Sequence, residues 1–531
     1  EFGSRWGPST GPASPTCWSL LDRDIHPILL YRRATRTQNA TPSTTTHLLR
    51  RPCALLALTS AASGSLTRTR APSAVMSSTG GAKRMRAGSE ISISSMFDAG
   101  NIEKVGVAED GAVQLRIMPD PYTELEKKSH MQWFAFRATF GCVAPPDVPT
   151  FEIVNAKDVS YPEAYYSCGA TTVCVSTDRQ KWTRCADTTY DHDSGVLRWT
   201  WDGDAGVGAV VYFAYFDLYP YERQLDLVAQ CLAARGAPGL GVRSLGQTCD
   251  GRELDCIDVG SGPLHAWIIH RQHPGESQAS FFAEGLLERL LGLRTGGAVD
   301  SLTRRALTDA FTFHIIPNMN PDGAVRGHLR VNAVGSNLNR EWSATGDYDA
   351  PTVARSPEVY HALQAMDATG VDLFVDVHGD ETLPFTFVAG AEGLAVWGAR
   401  LRALQGAFVG AYARANPDMQ RTFGYTPDAP LQGNLAICSN AIAQRFDCLG
   451  VTLEMPFKDC ATAPSSAHPF GGARCKQLGA SLVDAAVYVH LQLRGVDTPS
   501  FPHPTDAYIA PVEDDKAIAA WLEAHPNGGV L

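Results

Sequence analysis

A histidine and a glutamate with the spacing of metal ligands stand after an apolar stretch near the middle of the chain. His273 and Glu276 follow residues 263–269, which read as a buried strand, and precede residues 277–291, whose apolar positions recur as in a helix. Imidazole and carboxylate are good zinc ligands, and a catalytic zinc takes three protein ligands and leaves a fourth position for water. His-x-x-Glu also occurs by chance in polar loops that cap helices. The pair therefore needs a third ligand and a base elsewhere in the chain.

Two further apolar strand patterns end in groups that would complete such a site. His378 directly follows one of them, and Glu454 ends the other. Active groups gather at the carboxyl ends of strands in α/β sheets. We therefore expect His273, Glu276 and His378 to bind zinc, with Glu454 as the base for a bound water. The alternative for Glu454 is a strand-end carboxylate that points to solvent.

Another histidine, His270, is the nearest competitor as a ligand. It belongs to the body of the first strand rather than to its end, so we leave it out of the predicted site.

An amide and a guanidinium stand side by side between these segments. Asn339 and Arg340 come after the turn signal Asn-Pro-Asp-Gly at residues 320–323. The planar arginine fork suits a carboxylate, and an adjacent amide donor makes a carboxylate-binding pair. A second arginine near the metal, from Arg326 or Arg330, could stabilise a developing oxyanion. Surface salt bridges are the alternative for any one of these arginines.

Composition narrows the classes of function. A chain of 531 residues predicts two or three domains. The net charge of −11 argues against a general binder of nucleic acid or of anionic membranes. The longest apolar runs are far shorter than the roughly 20 residues that cross a bilayer, so no membrane segment is predicted. The 13 cysteines include no C-x-x-C pair, which favours reduced thiols and a cytoplasmic protein.

Pattern changes along the chain predict four parts. Residues 1–91 are rich in Ser, Thr, Arg and Pro and read as a disordered leader that begins with a cloning scar; an organelle transit peptide and an extension upstream of Met76 are the two alternatives. Residues 92–217 carry short alternating runs separated by turns, such as Pro119-Asp120-Pro121, and predict a small antiparallel β-sandwich. Residues 218–495 alternate helices with apolar strands and predict an α/β domain with a mixed central sheet. Residues 496–531 read as a surface-bound or loose tail.

The ordered motifs resemble the zinc metallocarboxypeptidase family, to which the pancreatic carboxypeptidases belong. The segments at residues 219–223, 273–276, 338–340, 378–381 and 452–457 resemble its cytosolic carboxypeptidase, or deglutamylase, subfamily in particular. The resemblance spans residues 92–495 and implies a metallocarboxypeptidase fold with a mixed eight-stranded sheet. It also implies a zinc-dependent hydrolase that removes C-terminal or branched glutamates from proteins, tubulin among them.

The resemblance also implies roles for single residues. Arg330 would face the scissile carbonyl, and Asn339 and Arg340 would hold the terminal carboxylate of the substrate. Tyr425 is the candidate for the tyrosine that covers the substrate. Asn337 stands where many secreted relatives carry an aspartate that orients the first zinc histidine, so that partner is predicted to be a carbonyl, an amide or another acid.

A pocket for a glutamate side chain would need a further cation, and Arg445, Arg421 and Lys458 are the candidates. Two rival functions stay open. One is an aspartoacylase-like deacylase of small amino-acid conjugates, which shares the metal pattern. The other is an inactive relative whose β domain binds proteins.

Overall fold

The computed structural model describes residues 91–531 apart from positions 125, 127, 142–147, 168–172, 186, 204–205, 207, 466–467 and 530. The described residues form one compact unit. The predicted leader, except for its last residue, lies outside the described residues.

Ten short strands build a β-sandwich at the start of the described chain. They are β1 (Ser92–Ser94), β2 (Glu103–Val107), β3 (Val113–Arg116), β4 (Ala135–Thr139), β5 (Thr150–Ile153), β6 (Cys174–Ser176), β7 (Thr183–Arg184), β8 (Thr189–Asp191), β9 (Val196–Thr200) and β10 (Val210–Ala214). The two sheets have the orders β1-β4-β10-β6-β7 and β2-β3-β5-β9-β8. Aromatic rings close the space between them, as where Phe136 of one sheet lies 6.0 Å from Phe151 of the other.

The predicted antiparallel sandwich is confirmed with one exception. Among the described strand pairs of the sandwich, β3 and β5 alone run parallel. The intervening strand β4 belongs to the opposite sheet, so the chain crosses over and returns in its original direction.

A mixed sheet forms the centre of the second part of the chain. Its strands are β11 (Gly241–Gln247), β12 (Glu253–Gly260), β13 (Leu264–His270), β14 (Phe311–Ile316), β15 (Leu373–Val377), β16 (Phe387–Ala389) and β17 (Leu449–Glu454). Their order is β11-β12-β14-β13-β15-β17-β16, and the four central strands β14, β13, β15 and β17 are parallel. The mixed sheet is confirmed. It has seven strands in the described residues, where the resemblance implies eight.

Helices cover this sheet. They are α1 (Tyr221–Ala233), α2 (Ser277–Leu291), α3 (Ser301–Arg305), α4 (Pro321–Arg326), α5 (Pro357–Thr369), α6 (Ala399–Ala415), α7 (Cys438–Phe446), α8 (Gly472–Val489) and α9 (Asp515–Ala524), with short 3-10 or π turns between some of them. Helix α2 ends where the sequence pattern ends, because Gly292 adopts the left-handed conformation of a C-cap. Helix α6 begins at Ala399, after the extended backbone of Gly398. None of the helices in the described part of the chain has the length and apolar character needed to span a bilayer.

Close backbone contact joins α2 to α8 over the sheet. A Cβ atom on Gly479 would lie 2.0 Å from the carbonyl oxygen of Phe282, so the approach of these two helices requires glycine. The apolar core is continuous from the sandwich, with Trp199 and Phe213, to the central sheet, with Ile268 and Val451. Helix α9 of the predicted tail packs on the second part of the chain, because Ile518 is buried in a cluster with Phe385 and Phe423.

Candidate active site

Three chain segments meet at the carboxyl edge of the parallel strands. Strands β13, β15 and β17 lie side by side, with His270 opposite Val377 and Val377 opposite Leu453. His378 follows β15 directly, and Glu454 is the last residue of β17. The turn after β13 carries the predicted metal pair. The register of the sheet therefore brings together groups that are far apart in sequence.

The three predicted ligands form a compact donor set. Nδ1 of His273 lies 2.7 Å from Oε1 of Glu276, and Nδ1 of His378 lies 2.9 Å from Oε2 of the same carboxylate. The two Nδ1 atoms are 3.2 Å apart, and all three side chains are buried. Tetrahedral zinc with bonds of about 2.0–2.1 Å to nitrogen and oxygen holds its ligand atoms about 3.3 Å apart. The donor types and their spacing fit zinc.

Both histidines have their second nitrogen hydrogen-bonded. Nε2 of His273 donates to Oδ1 of Asn337 at 3.2 Å, and Nε2 of His378 lies 2.8 Å from Oδ2 of Asp376. These contacts leave each Nδ1 lone pair for a metal. The side chain of Asn337 in turn donates to Glu126 of the sandwich at 3.4 Å. The partner that orients His273 is therefore an amide.

Asp376 is a site residue that sequence reasoning missed. It is fully buried within β15 and also accepts a hydrogen bond of 2.6 Å from Gln272. The sequence does indicate this role, because an aspartate in an otherwise apolar strand is costly to bury unless a partner binds it. The candidate ligand two residues later is such a partner.

Burial and the neighbouring charged groups shift the pKa values of the two histidines. Burial, and then the nearby Arg330 guanidinium, lower the pKa of His273 to about 3, which keeps its imidazole neutral. Burial also disfavours the charged form of His378, but the carboxylates of Asp376 and Glu276 outweigh it and raise the pKa of this histidine. A proton and a metal ion therefore compete for Nδ1 of His378.

The predicted base lies on the same cleft. Oε1 of Glu454 accepts a hydrogen bond of 3.4 Å from the hydroxyl of Tyr425, and Oε2 is buried with no hydrogen-bond partner among the described residues. Burial raises the pKa of Glu454 well above the ordinary value of a glutamate. Tyr425 also donates to Oδ2 of Asp380 at 2.7 Å. The weakest sequence candidate, Tyr425, thus lies beside the predicted base.

Two arginines, Arg330 and Arg340, and the amide of Asn339 also line the cleft. Oδ1 of Asn339 accepts from the backbone N–H of Cys438 at 2.8 Å, so its NH2 group remains as a donor. Burial lowers the pKa of Arg340, and the charge of Arg330 lowers it further. Two guanidinium groups that repel each other in a buried wall favour the arrival of an anion.

The cleft has a volume of about 570 Å³ and is lined by seven of the eight predicted site residues. The ring of the eighth, His378, lies 4.8 Å from the ring of His273. Three cations proposed for a glutamate pocket do not line it. Arg445 pairs with Asp367 at 2.7 Å, Arg421 donates to the carbonyl of Ala507, and Lys458 donates to Ser167.

Other parts of the chain reach this cleft without having been predicted to do so. The sandwich contributes Tyr161 and Glu163, and the C-terminal segment contributes Pro511 and Glu513. The nearby Glu381 carboxylate, and then burial, raise the pKa of Tyr161 to about 12. No local pattern marks these residues, because their position depends on how distant segments fold together.

Comparison with known proteins agrees with this geometry. Residues 93–216 match the family described as the cytosolic carboxypeptidase N-terminal domain, and residues 230–421 match the zinc carboxypeptidase family. Glu454 lies beyond the second match, so its position at the site comes from the fold. An uncharacterised protein of Zymomonas mobilis is 40% identical over 390 residues, which are 73% of this chain and 94% of that protein.

Mouse cytosolic carboxypeptidase 6 is more distant, at 26% identity over 309 residues that are 55% of this chain and 54% of that protein. The chain therefore spans about half the length of that mouse relative.

Solved structures share the fold. A metallo-carboxypeptidase from Pseudomonas aeruginosa, in complex with (2-guanidinoethylmercapto)succinic acid, is 36% identical with a TM-score of 0.67, over 76% of this chain and 100% of that chain. A metallo-carboxypeptidase from Burkholderia cenocepacia is 38% identical with a TM-score of 0.67, over 76% and 99% of the two chains. Fold, donor set and sequence matches agree: the chain belongs to the zinc carboxypeptidase family of peptide hydrolases and carries the N-terminal domain of the cytosolic carboxypeptidases.

Proposed function

We propose that this protein is an exopeptidase that removes single residues from the C-terminus of peptides or proteins, with zinc held by His273, Glu276 and His378. The observation that carries the proposal is the convergence of this donor set, a buried carboxyl group and an arginine-lined wall on one cleft. When bound, zinc supplies Lewis acidity that polarises a carbonyl group and makes water acidic near neutral pH.

The remaining chemistry belongs to residues of the chain. Glu454 takes a proton from the attacking water and delivers it to the nitrogen of the leaving amine. Burial raises the pKa of Glu454, which makes its ionised carboxylate a stronger proton acceptor than an exposed glutamate. Arg330 donates to the carbonyl oxygen as negative charge develops on it.

The carboxylate clamp makes the enzyme act at chain ends. The NH2 group of Asn339 and the guanidinium of Arg340 bind the terminal carboxylate, which relieves the repulsion between Arg340 and Arg330. An internal peptide bond has no carboxylate to offer at this position. The hydroxyl of Tyr425 is the group that closes over the bound residue.

Glutamate is the first candidate for the residue removed, with the glutamate-rich or branched tails of tubulin as a protein substrate. The resemblance to the cytosolic carboxypeptidases supports this choice. Arg445, Arg421 and Lys458 contact other groups, and the two arginines among the described residues of the cleft, Arg330 and Arg340, are assigned to the carbonyl oxygen and the terminal carboxylate. Selection of glutamate would therefore need one of these two arginines to bind a second carboxylate as well.

A basic C-terminal residue is the second candidate, because the cleft is rich in acids. Its lining includes Glu163, Glu392, Asp428 and Glu513 in addition to the catalytic carboxylates. The Pseudomonas aeruginosa relative was solved with a ligand that carries a guanidino group as well as a succinic acid. An acid-rich lining attracts a lysine or arginine side chain and repels a glutamate.

A set of peptides distinguishes these substrates. Peptides with one common body would end in Glu, Asp, Lys, Arg, Leu or Phe, and a branched glutamate chain and an amidated peptide would complete the set. Mass spectrometry would record the residue lost, with a chelator as control. We expect release of one residue at a time and no cleavage of the amidated peptide. A preference for Leu or Phe would reject both candidates for the side chain, and cleavage of the amidated peptide would reject the carboxylate clamp.

Two rival functions make different predictions in the same assay. A deacylase of small conjugates would cleave N-acyl amino acids faster than peptides. An inactive protein-binding relative would cleave nothing, although the intact donor set and Glu454 count against it.

A cytoplasmic location is part of the proposal and is supported by the nine described cysteines, which are all free thiols.

A further inference from the structure

The carboxylate of Asp120 in the sandwich binds the catalytic loop that carries Arg330. Oδ1 of Asp120 accepts from the backbone N–H of Leu329 at 2.7 Å. Oδ2 accepts from the N–H groups of Arg330 at 2.8 Å and of Val331 at 3.1 Å. Three consecutive backbone amides therefore converge on one side chain, which is 5% exposed.

Asp120 is itself held in place. It stands between Pro119 and Pro121, whose rings restrict the backbone, and its own N–H donates to the carbonyl of His130 at 2.8 Å. The segment that sequence analysis treated as a turn between strands thus presents a fixed carboxylate to the catalytic domain.

Besides Asp120, two groups contact the backbone beside Arg330: the N–H of Gly275 donates to the carbonyl of Leu329 at 2.9 Å, and Nδ1 of His328 lies 3.1 Å from the carbonyl of Val331. Residues 327–337 follow α4 and contain no helix or strand. The side chain of Arg330 makes no hydrogen bond or ion pair with any described residue, although nearby acids raise its pKa against the effect of burial. The direction of its guanidinium therefore depends on the backbone to which Asp120 is bound.

We infer that Asp120 is a positioning residue for Arg330. Through Asp120, the sandwich domain would fix the backbone of the arginine that stabilises the carbonyl oxygen. The inference rests on the proposed role of Arg330 in the exopeptidase. Its physical reason is that backbone donors bound to a buried carboxylate hold a loop strongly, and that a displacement of about 1 Å in a catalytic group can reduce the rate about 100-fold.

The test is a double-mutant cycle between Asp120→Asn and Arg330→Ala, measured on the best peptide substrate. In Asp120→Asn the side-chain NH2 group faces a backbone donor, so at least one hydrogen bond is lost. We expect kcat to fall about 10- to 100-fold with KM within about threefold. The double variant should be no more than about twofold slower than Arg330→Ala alone, because both changes remove the same contribution.

Asp217→Asn is the matched control. Asp217 is the last residue of the sandwich segment, and its carboxylate accepts the backbone N–H of Gly472 at 2.8 Å. It therefore also joins the sandwich to the backbone of the catalytic domain, but outside the cleft that contains Arg330. We expect kcat of this variant within about twofold of the wild-type value. Equal losses of kcat in the two aspartate variants, or additive effects in the cycle, would overturn the inference.

Structural readouts keep the test independent of turnover. Amide hydrogen exchange at residues 329–331 should be faster in Asp120→Asn than in the wild type or Asp217→Asn, and a crystal structure should show the guanidinium of Arg330 displaced. An unmoved arginine would overturn the inference even if activity fell. If Asp120→Asn does not fold, Asp120→Glu takes its place. If neither variant folds, Asp120 is needed for folding, and the inference of a positioning role is overturned. An unaffected Arg330→Ala variant would reject the proposed role of Arg330, whereas Asp120 would still be judged by exchange and by the crystal structure.

Discussion

The orientation of single side chains decides the chemistry of the cleft. His273 and His378 each use one nitrogen for a hydrogen bond to Asn337 or Asp376, and this leaves the other nitrogen directed at the shared carboxylate of Glu276. Glu454 differs from Glu276 because one of its oxygens has no partner among the described residues. The two buried glutamates of the cleft therefore have different surroundings, which supports the proposal that one is a ligand and the other the base.

Glu454→Gln is expected to lower kcat at least about 1,000-fold, because the amide cannot accept the proton of the attacking water. Zinc content, measured by plasma mass spectrometry, should stay near one ion per chain. Glu358→Gln is a control, since this buried glutamate of α5 lies outside the cleft. Normal turnover by Glu454→Gln would refute the assignment of the base.

Asn337→Ala should weaken zinc binding about 10- to 100-fold, because His273 loses the acceptor that fixes its ring. Competition with a chromophoric chelator would measure the dissociation constant. Asn155→Ala in the sandwich, which removes an asparagine bonded to Ile117, provides the comparison. If both variants retained wild-type affinity, the hydrogen bond from His273 to Asn337 would not contribute to the metal site.

At the scale of elements, a cluster of three charged side chains connects three helices. Glu284 of α2 accepts from Arg223 of α1 at 2.8 and 3.1 Å and from Lys476 of α8 at 2.9 Å. Burial alone would raise the pKa of Glu284, but the two cations lower it to about 2. The ionised carboxylate therefore stabilises the arrangement of helices behind the metal-binding turn.

The lowered pKa of Glu284 makes part of the free energy of unfolding depend on pH. The folded pKa lies below the unfolded value of about 4.5, so the contribution is complete above about pH 4.5 and is lost as the pH falls towards about 2. Glu284→Gln should lower the free energy of unfolding by up to about 3 kcal/mol at pH 7. The difference from the wild type should shrink below pH 4.5. Urea unfolding at pH 7, 5, 4 and 3 would measure it, and a difference that did not change with pH would contradict the prediction.

At the scale of the whole molecule, the sandwich and the catalytic domain share one core. Tyr215 stacks on Phe457 with ring centroids 4.8 Å apart, and Arg184 donates to the backbone carbonyls of Phe457 and Phe470. Segments of the sandwich also line the cleft and bind the loop of Arg330. The two parts therefore depend on each other for stability as well as for function.

A fragment of residues 218–531 is expected not to fold into a stable enzyme, because removal of the sandwich exposes the apolar surface around Phe457 and frees the loop of Arg330. Circular dichroism and size-exclusion chromatography would detect a partly folded or aggregated fragment. Phe457→Ala in the full chain should lower the free energy of unfolding by about 3–5 kcal/mol as a milder version of the same defect. Cooperative unfolding of an active fragment would contradict the shared core.

Much of the fold follows from local patterns. Helix α2 occupies the residues expected for it, and strand β13 lies within one residue of its expected bounds, because apolar runs of that length between polar or glycine-containing turns have few other ways to be buried. The predicted antiparallel sandwich and mixed sheet follow from the same patterns. The crossover that makes β3 parallel to β5 does not, because the pattern shows which residues are buried but not in which sheet.

The sequence by itself determined the candidate donor set, since groups at the ends of parallel strands must meet at one edge of the sheet. Only the tertiary structure decided which cations face the cleft, that Asn337 and Asp376 orient the histidines, and that Asp120 binds a loop 210 positions away. The physical reason is the sequence distance over which each interaction acts. Hydrophobic periodicity specifies helices and strands from residues that are close together in the sequence. The hydrogen bonds and charges that adjust the site form between segments that only the completed fold brings within about 3 Å.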